Sequence, residues 1–172
     1  NRVVSVEVTD SGASNNVTTE QLNTIAVSAV NDAPVITNTD TTDTFTEGGS
    51  AVAVAASDFA IDLVESGDTV SSLVFTVSNV TDAGETLTVD GSTLDLLTAD
   101  TGSTDTGGYA YEVAYDAGND TASVTLSSLT LSATAADDLV KAVTYENTSD
   151  DPTEANRVVS VEVTDSGASN NV

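Results

Sequence analysis

The first seventeen residues of the chain occur a second time near its other end. Residues Asn1–Val17 and Asn156–Val172 share the sequence NRVVSVEVTDSGASNNV at every position, with an offset of 155 between residues 1 and 156. Solenoid and propeller repeats have periods of about 20–50 residues, so an offset this long has the size of a whole domain. The repetition predicts a string of similar domains, of which this chain contains one period and a short overlap.

Apolar residues recur at every second position in many short segments, which is the pattern of half-buried β-strands. The clearest segments are Val4–Val8, Leu73–Val77 and Tyr109–Tyr115, and clusters of Gly, Asp, Asn and Ser separate them. This spacing predicts an all-β fold of the β-sandwich type. Further strands are predicted at Ile25–Ala29, Val52–Val54, Thr86–Val89, Leu94–Leu97 and Val124–Leu126.

A single short helix interrupts the strand pattern. Thr134 is a suitable N-cap for Ala135–Ala142, where Leu139 and Val140 supply the apolar side. The fold expectation is therefore a β-sandwich with one short helix.

The segment Asn31-Asp32-Ala33-Pro34 predicts a domain boundary, because proline ends strand pairing. Residues 1–30 are then the last two strands of a preceding repeat, and residues 31–34 are the linker. Residues 35–172 are a sandwich that lacks its final strand, the equivalent of Thr18–Val30. Either another copy supplies that strand, or the sequence is a cut through a continuous repeat. Both alternatives predict head-to-tail arrays of neighbouring copies.

The charge of the chain excludes several classes of partner. It has 28 acidic and 3 basic residues and a formal net charge of −25. Nothing in this composition neutralises phosphates, so nucleic acid is excluded, and an anionic membrane surface repels the chain. No apolar run approaches the ~18 residues of a transmembrane helix, so direct membrane contact is not expected.

Catalytic motifs are missing as well. The chain contains no Cys and no His, which removes the common nucleophile–base pairs, and it has no EF-hand loop, phosphate loop or Gly-x-Ser-x-Gly. Carboxylate pairs are so frequent that they carry no information about glycosidase chemistry. We expect no enzyme activity.

The same composition indicates a divalent cation. A chain without disulfides needs another source of rigidity, and 28 carboxylates with few counter-cations repel one another. Ca²⁺, which binds six to eight carboxylate and carbonyl oxygens, answers both needs. The alternative is a halophilic or marine protein surface, on which acidity serves solubility alone.

Four segments form a recognisable series: Phe45–Gly49, Ala60–Val70, Thr144–Asn171 (TYENTSDDPTEANRVVSVEVTDSGASNN) and Val30–Val35 (VNDAPV). They resemble the cadherin-like and chondroitin-sulfate-proteoglycan-type repeats of giant bacterial surface proteins. The last two segments are the specific part of the resemblance, and the first two match the early part of such repeats. The resemblance implies an immunoglobulin/cadherin-like sandwich that acts as a Ca²⁺-binding extender. It also implies an extracellular location, on a bacterial cell surface or in a secreted filament, with roles in cell adhesion and biofilm.

The order of the loops predicts which carboxylates meet. In a simple sandwich, the Asp58–Asp68 loop and the Asp165-Ser166-Gly167 turn fall at the end of the domain beside the linker. The Glu47 turn and the Glu146–Asn156 loop fall at the other end. The family's Asp-x-Asp pair is absent, and Asp62, Glu65 and Asp68 stand at a different spacing. The candidate Ca²⁺ ligands are Asn31, Asp32, Glu47, Asp62, Asp68, Asp165 and its copy Asp10.

Each candidate ligand has a simpler interpretation as a turn residue or a solvated loop acid. A second hypothesis for the whole chain is a carbohydrate-binding module with surface polysaccharide as its partner, because Tyr109, Tyr111 and Tyr115 form a stripe. Such a stripe is more often sheet packing. A third hypothesis is a subunit that assembles by donor-strand exchange.

Overall fold

A computed structural model describes residues 1–14, 16–39 and 42–167 of the chain. These residues form antiparallel β-sheets and one short helix. They divide into two units, Asn1–Val30 and Asn31–Val172. Residues 168–172, which complete the second copy of the repeated block, lie outside the described residues.

The first unit is a two-stranded hairpin of β1 (Arg2–Thr9) and β2 (Val17–Ile25). The strands pair antiparallel with one register shift between Val4 and Ser5, and every residue in them is exposed. Val4–Val8 is therefore a strand as predicted, but the prediction that it is half-buried is wrong, because no second layer covers either of its faces within this unit. The predicted strand Ile25–Ala29 is wrong beyond its first residue. Ile25 lies opposite Arg2, where β1 begins, so Val27 and Ala29 have no partner residue on that strand.

The second unit contains most of the secondary structure. Its first strands are β3 (Val35–Thr37), β4 (Val52–Ala53), β5 (Ala60–Asp62), β6 (Val70–Val77), β7 (Glu85–Val89) and β8 (Ser92–Asp95). The elements that follow are β9 (Asp100–Ser103), β10 (Ala110–Asp116), β11 (Thr121–Ser127), α1 (Ala133–Lys141), β12 (Thr144–Asn147) and β13 (Val159–Asp165).

The strands of the second unit form two main sheets and a small third one. The larger sheet has the order β13-β6-β11-β10-β9, and the other main sheet has the order β4-β12-β7-β8. Strands β3 and β5 form a separate pair. Strand β13 therefore lies at one edge of the larger sheet, with β6 as its neighbour.

The two main sheets enclose one apolar core, as expected for a β-sandwich. Alternation confirms the strand prediction at Leu73–Val77, because Leu73, Phe75 and Val77 of β6 are fully buried. Leu87 and Val89 of β7 enter the same core from the opposite sheet. Burying an apolar side chain of this size contributes about 1.5–3 kcal/mol, so the core is a main source of stability.

Strands β7 and β8 are joined by a two-residue turn at Asp90-Gly91, whose φ angles are 46° and 85°. Positive φ at both turn residues suits the right-handed twist of a hairpin, and Asp-Gly tolerates it. The predicted strand Leu94–Leu97 was placed too late. Asp95 ends β8, because its carboxylate accepts a hydrogen bond from the backbone N–H of Leu97 at 2.8 Å and turns the chain.

Helix α1 begins two residues earlier than the sequence predicts. Ser132, which has an extended backbone, is the N-cap, and its hydroxyl accepts a hydrogen bond from the N–H of Ala135 at 3.3 Å. The assignment of Thr134 as the cap is wrong, because Thr134 already lies inside the helix. Leu139 and Val140 face the core as predicted.

Two valines in the second unit allow a matched test of this core. Val77 is fully buried, whereas the side chain of Val158 is 63% exposed. We expect Val77→Ala to lower the free energy of unfolding by about 2 kcal/mol, because it leaves a cavity. Val158→Ala is expected to change it by less than about 0.5 kcal/mol. Urea unfolding of both variants measures the difference, and equal effects would contradict this core.

Candidate metal centre

Three acidic side chains converge at one end of the second unit. Glu65 and Asp68 lie in the loop between β5 and β6, and Asp165 is the last residue of β13. One carboxylate oxygen from each lies within 4.8 Å of the other two. This group could hold a metal ion, and it is called the acidic cluster below.

A tight turn sets the position of Glu65. The backbone N–H of Glu65 donates to the carbonyl of Leu63 at 2.6 Å, which closes a γ-turn around Val64. Val64 has a φ of 62°, an unfavourable conformation for a β-branched residue that costs on the order of 1–3 kcal/mol. Upstream, the side chain of Asp137 in α1 accepts from the N–H of Ile61 at 2.7 Å and anchors β5. The acidic loop is thus held in a strained and defined shape.

Asp165 is 1% exposed and is surrounded by polar groups. Its carboxylate accepts from the backbone N–H of Gly167 at 2.9 Å, and the side-chain amide of Asn31 lies 3.4 Å from both carboxylate oxygens. A Cβ atom at Gly167 would overlap the amide of Asn31. A side chain at position 167 is therefore excluded by this close packing.

Two carboxylate oxygens of the cluster have no hydrogen-bond donor. They are Oε2 of Glu65 and Oδ2 of Asp68, and both atoms are buried among the described residues. The second oxygen of Glu65, Oε1, accepts from the backbone N–H of Asp32 at 3.2 Å. Because a buried charged oxygen without a donor is strongly unfavourable, these two atoms fit a cation.

The structure brings some of the predicted ligands together and leaves others apart. Asn31, Asp68 and Asp165 meet at the acidic cluster, and Asp32 contributes its backbone N–H. Asp62 is exposed and accepts from the N–H of Val64 at 2.9 Å, as in a simple turn.

The remaining two candidates lie elsewhere. Asp10 belongs to the first unit, where its carboxylate accepts from the N–H of Gly12 at 2.7 Å. Glu47 is exposed in a turn that follows Phe45, and the Phe45 ring contacts Tyr145. Neither residue belongs to the acidic cluster within the described ranges.

Glu65 is the member of the acidic cluster that the sequence did not predict as a ligand. It stands three positions before Asp68 in the predicted acidic loop, so the two residues do not form the Asp-x-Asp pair that is typical of the family. The loop order already placed this loop beside Asp165 and the linker. Only the γ-turn at Val64, which no residue pattern signals, aims Glu65 at the cluster.

A second group of carboxylates lies near the other end of β13, where the positive charge of an arginine side chain neutralises them. The guanidinium of Arg157 donates to both carboxylate oxygens of Glu85 at 2.7 and 3.0 Å, and to Asp82 at 3.1 Å. The hydroxyl of Tyr145 donates to Glu85 at 2.8 Å. Both salt bridges found among the described residues belong to Arg157.

The pKa values of this network follow from its hydrogen bonds. Burial raises the pKa of Asp82, but hydrogen bonds from Thr153 and Asn147 and the charge of Arg157 outweigh it and lower the pKa to about 2. Glu85 behaves similarly, since burial is outweighed by the hydrogen bond from Arg157 and its pKa is lowered. Burial and the bond to Glu85 raise the pKa of Tyr145. Both carboxylates are therefore held ionised.

The three tyrosines of the stripe, two in β10 and one directly before it, pack against the sandwich. Tyr109, Tyr111 and Tyr115 are half-buried against the core. The hydroxyl of Tyr111 donates to Asp100 at 2.8 Å, and that of Tyr115 donates to the carbonyl of Val80 at 3.1 Å. These contacts favour the packing interpretation of the stripe over a sugar platform.

Comparisons with protein-family models, with curated proteins and with solved structures found no match to this chain. The resemblance to cadherin-like repeats thus rests on the sequence motifs quoted above. Among the described residues, no helix has the length and apolar character needed to cross a membrane.

The repeated block supplies a matched control for Arg157. Arg157→Met removes the cation from Glu85, which is fully buried, and we expect a loss of about 3–5 kcal/mol in the free energy of unfolding. Arg2 has the same sequence neighbours but is exposed in the first unit, so Arg2→Met is expected to cost less than about 0.5 kcal/mol. Chemical unfolding checks both, and similar losses would contradict the network.

Asp82 predicts a stability change in acid. Its pKa of about 2 in the folded chain lies below its ordinary value of 3.8, so the unfolded chain binds more protons between these values. Its contribution is therefore complete above this range and is lost as the pH falls through about 2. The urea midpoint of the unchanged chain should fall as the pH is lowered from about 5 to 2. In Asp82→Asn this fall should be smaller. Parallel curves would contradict this assignment.

Proposed function

We propose that this chain is a structural extender repeat of a bacterial extracellular adhesin or filament, stiffened by Ca²⁺ bound at the acidic cluster. The observation that carries the proposal is the pair of buried, donor-free oxygens on Glu65 and Asp68 beside the buried carboxylate of Asp165.

Charge is the first support. At an effective dielectric constant of about 20, two carboxylates at the separation of this cluster repel each other by about 3 kcal/mol. The chain has 3 basic residues, and Arg157 is already bound to Glu85 and Asp82. Lys141 forms no salt bridge within the described ranges. A bound cation therefore balances charges that the side chains leave unbalanced.

The donor set is the second support. The cluster offers oxygen atoms of three carboxylates, and the chain has no Cys or His. Oxygen-only sites suit Ca²⁺ and Mg²⁺ rather than transition metals. Ca²⁺ accepts six to eight ligands in flexible geometry, whereas Mg²⁺ requires a near-ideal octahedron and retains its waters. An irregular group of loop carboxylates favours Ca²⁺.

Position is the third support. Asn31 is the first residue of the second unit, directly after the last residue of the first, and it contacts Asp165 at the end of β13. The N–H of Asp32 is bound to Glu65 in the acidic loop. An ion held by these groups ties the entering chain to two separate parts of the sandwich. Because the 17-residue block recurs at domain-sized spacing, the same restraint is available in each repeat of an array.

The mechanical role follows from these supports. Ca²⁺ links the loop, the end of β13 and the entering segment, so that the immunoglobulin/cadherin-like sandwich resists local opening and proteolysis. The chain has no disulfides for that purpose. Repetition of such units gives a stiff, acidic spacer, in agreement with the resemblance to bacterial surface repeats.

Asp165 and Asp10 allow a matched test, because both precede Ser-Gly in the repeated block and both accept an N–H two residues later. We expect Ca²⁺ at about 100 times its dissociation constant to raise the free energy of unfolding by about 2.7 kcal/mol. Asp165→Asn should remove that increase and raise the stability of the metal-free chain, because it relieves repulsion. Asp10→Asn should leave both values unchanged. Thermal unfolding in Ca²⁺ and in EDTA measures each value.

Two results would overturn the calcium part of the proposal. One is an unchanged melting temperature after EDTA treatment at low salt. The other is an equal Ca²⁺ response in the unchanged chain and in Asp165→Asn. Isothermal titration with Mg²⁺ as a comparison ion establishes whether the site selects Ca²⁺.

A further inference from the structure

We propose that the free edge of β13 binds a strand with the sequence of β2, Val17–Ile25, from a second copy of the chain. The donated strand extends the larger sheet beyond β13, antiparallel to it, in the register that β1 and β2 display. The inference deepens the array of repeats in the proposed function and rests on that part of it alone, without the metal.

Among the described strands, β13 pairs with β6 on one side and with no strand on the other. It has seven residues, three of which are valines, and it contains neither Lys nor Pro. The opposite edge of the same sheet, β9, has four exposed residues, Asp-Thr-Gly-Ser. Natural edges are usually short, charged or bulged, because a long apolar edge pairs with other chains. Strand β13 is longer than such edges, and its charged and irregular part is confined to Glu162 and to the register shift between Thr164 and Asp165.

A shallow groove of about 380 Å³ lies along β13. Its lining is mixed polar and apolar, and it is formed by Ser160–Val163, by Val74 and Thr76 of β6, and by Pro34 and Ile36. Val159 and Val161 are only half-buried, although they lie opposite the buried Val77 and Phe75 of β6. Another strand beside β13 would cover part of this surface.

The occupant is identified by the exact repetition of the block. The sequence of β13 occurs again in β1, where β2 pairs with it from one end to the other. In the hairpin, Thr19 lies opposite Glu7 and Thr18 lies opposite Val8. If β13 replaces β1, the same pairing places Thr19 opposite Glu162 and Thr18 opposite Val163. Each side chain then meets the neighbour that it already meets in the hairpin.

Moving β2 from β1 to β13 keeps the same number of backbone hydrogen bonds, because β1 and β13 have the same sequence. Which pairing is more stable then depends on the residues that each of these two strands packs against. Behind β13 is the packed core, where Val163 is 4% exposed. The equivalent Val8 of β1 is 56% exposed. A strand beside β13 can cover the half-buried Val159 and Val161, whereas β2 beside β1 leaves every residue of the hairpin exposed.

Charge allows this pairing at the strand itself. Strand β2 contains one acidic residue, Glu20, which falls opposite Val161, so no two carboxylates are directly opposed. The chain as a whole carries −25, and two copies repel each other. Screening is nearly complete beyond about 8 Å at physiological ionic strength, so association should strengthen with added salt.

Cysteine cross-linking in the full chain tests the register on a cysteine-free background. The variant Glu162→Cys with Thr19→Cys places thiols at directly opposed positions, and mild oxidation should give disulfide-linked dimers and longer oligomers. Glu162→Cys with Thr24→Cys is the out-of-register control and should give far less. Glu7→Cys with Thr19→Cys is the positive control and should close within the hairpin of one chain.

The second measurement is sedimentation velocity of the unmodified chain and of the Gln21→Pro variant. The unmodified chain should form oligomers. The variant should be monomeric, because proline in the middle of β2 removes a backbone hydrogen-bond donor. The melting of the second unit, which contains no β2 residue, reports that the variant is folded. Monomers at all concentrations and salts, or cross-linking equal to the out-of-register control, would overturn the proposal. Repeating both measurements in EDTA separates this outcome from failure of the Ca²⁺ site.

Discussion

With 28 acidic and 3 basic residues, the chain has few side chains that can neutralise a buried carboxylate, and this shortage of positive charge affects both ends of β13. Near the start of β13, Arg157 neutralises Glu85 and Asp82 through two salt bridges. At its end, Glu65, Asp68 and Asp165 converge without such a partner among the described residues. Carboxylates therefore cluster at both ends of this strand. An arginine neutralises them at the first end, and at the second end we propose that Ca²⁺ does so.

Strand β13 connects these features. Its core-facing valines pack on β6, its last residue enters the acidic cluster, and its outer edge has no neighbour in the described sheet. Its register on β6 shifts between Thr164 and Asp165, at the end that enters the acidic cluster. The ion-pair network and the proposed metal site flank the edge to which we propose that a further strand is added, and strand addition requires an ordered edge.

Much of the fold was predictable because alternation of apolar residues reports directly on half-buried strands. Leu73–Val77 is confirmed as a buried strand, and the loop order placed Asp165 beside the Asp58–Asp68 loop and Asn31. Element ends were less predictable. Ser132 rather than Thr134 caps the helix, and Ile25 ends β2, since capping geometry and the length of the partner strand decide such boundaries. Of the candidate site, Glu65 was not selected, because a γ-turn at a valine has no sequence signal.

By itself, the sequence determined the repetition, the strand-rich pattern, the acidity and the lack of Cys and His, because these are properties of residue identity and spacing. Only the tertiary structure decided which copy of the block is buried. Arg2 and Arg157 have identical neighbours, yet only Arg157 meets Glu85, and Asp10 and Asp165 form the same turn, yet only Asp165 meets other carboxylates. The physical reason is that burial and charge pairing arise from contacts between distant segments, and identical segments have different surroundings in the two units.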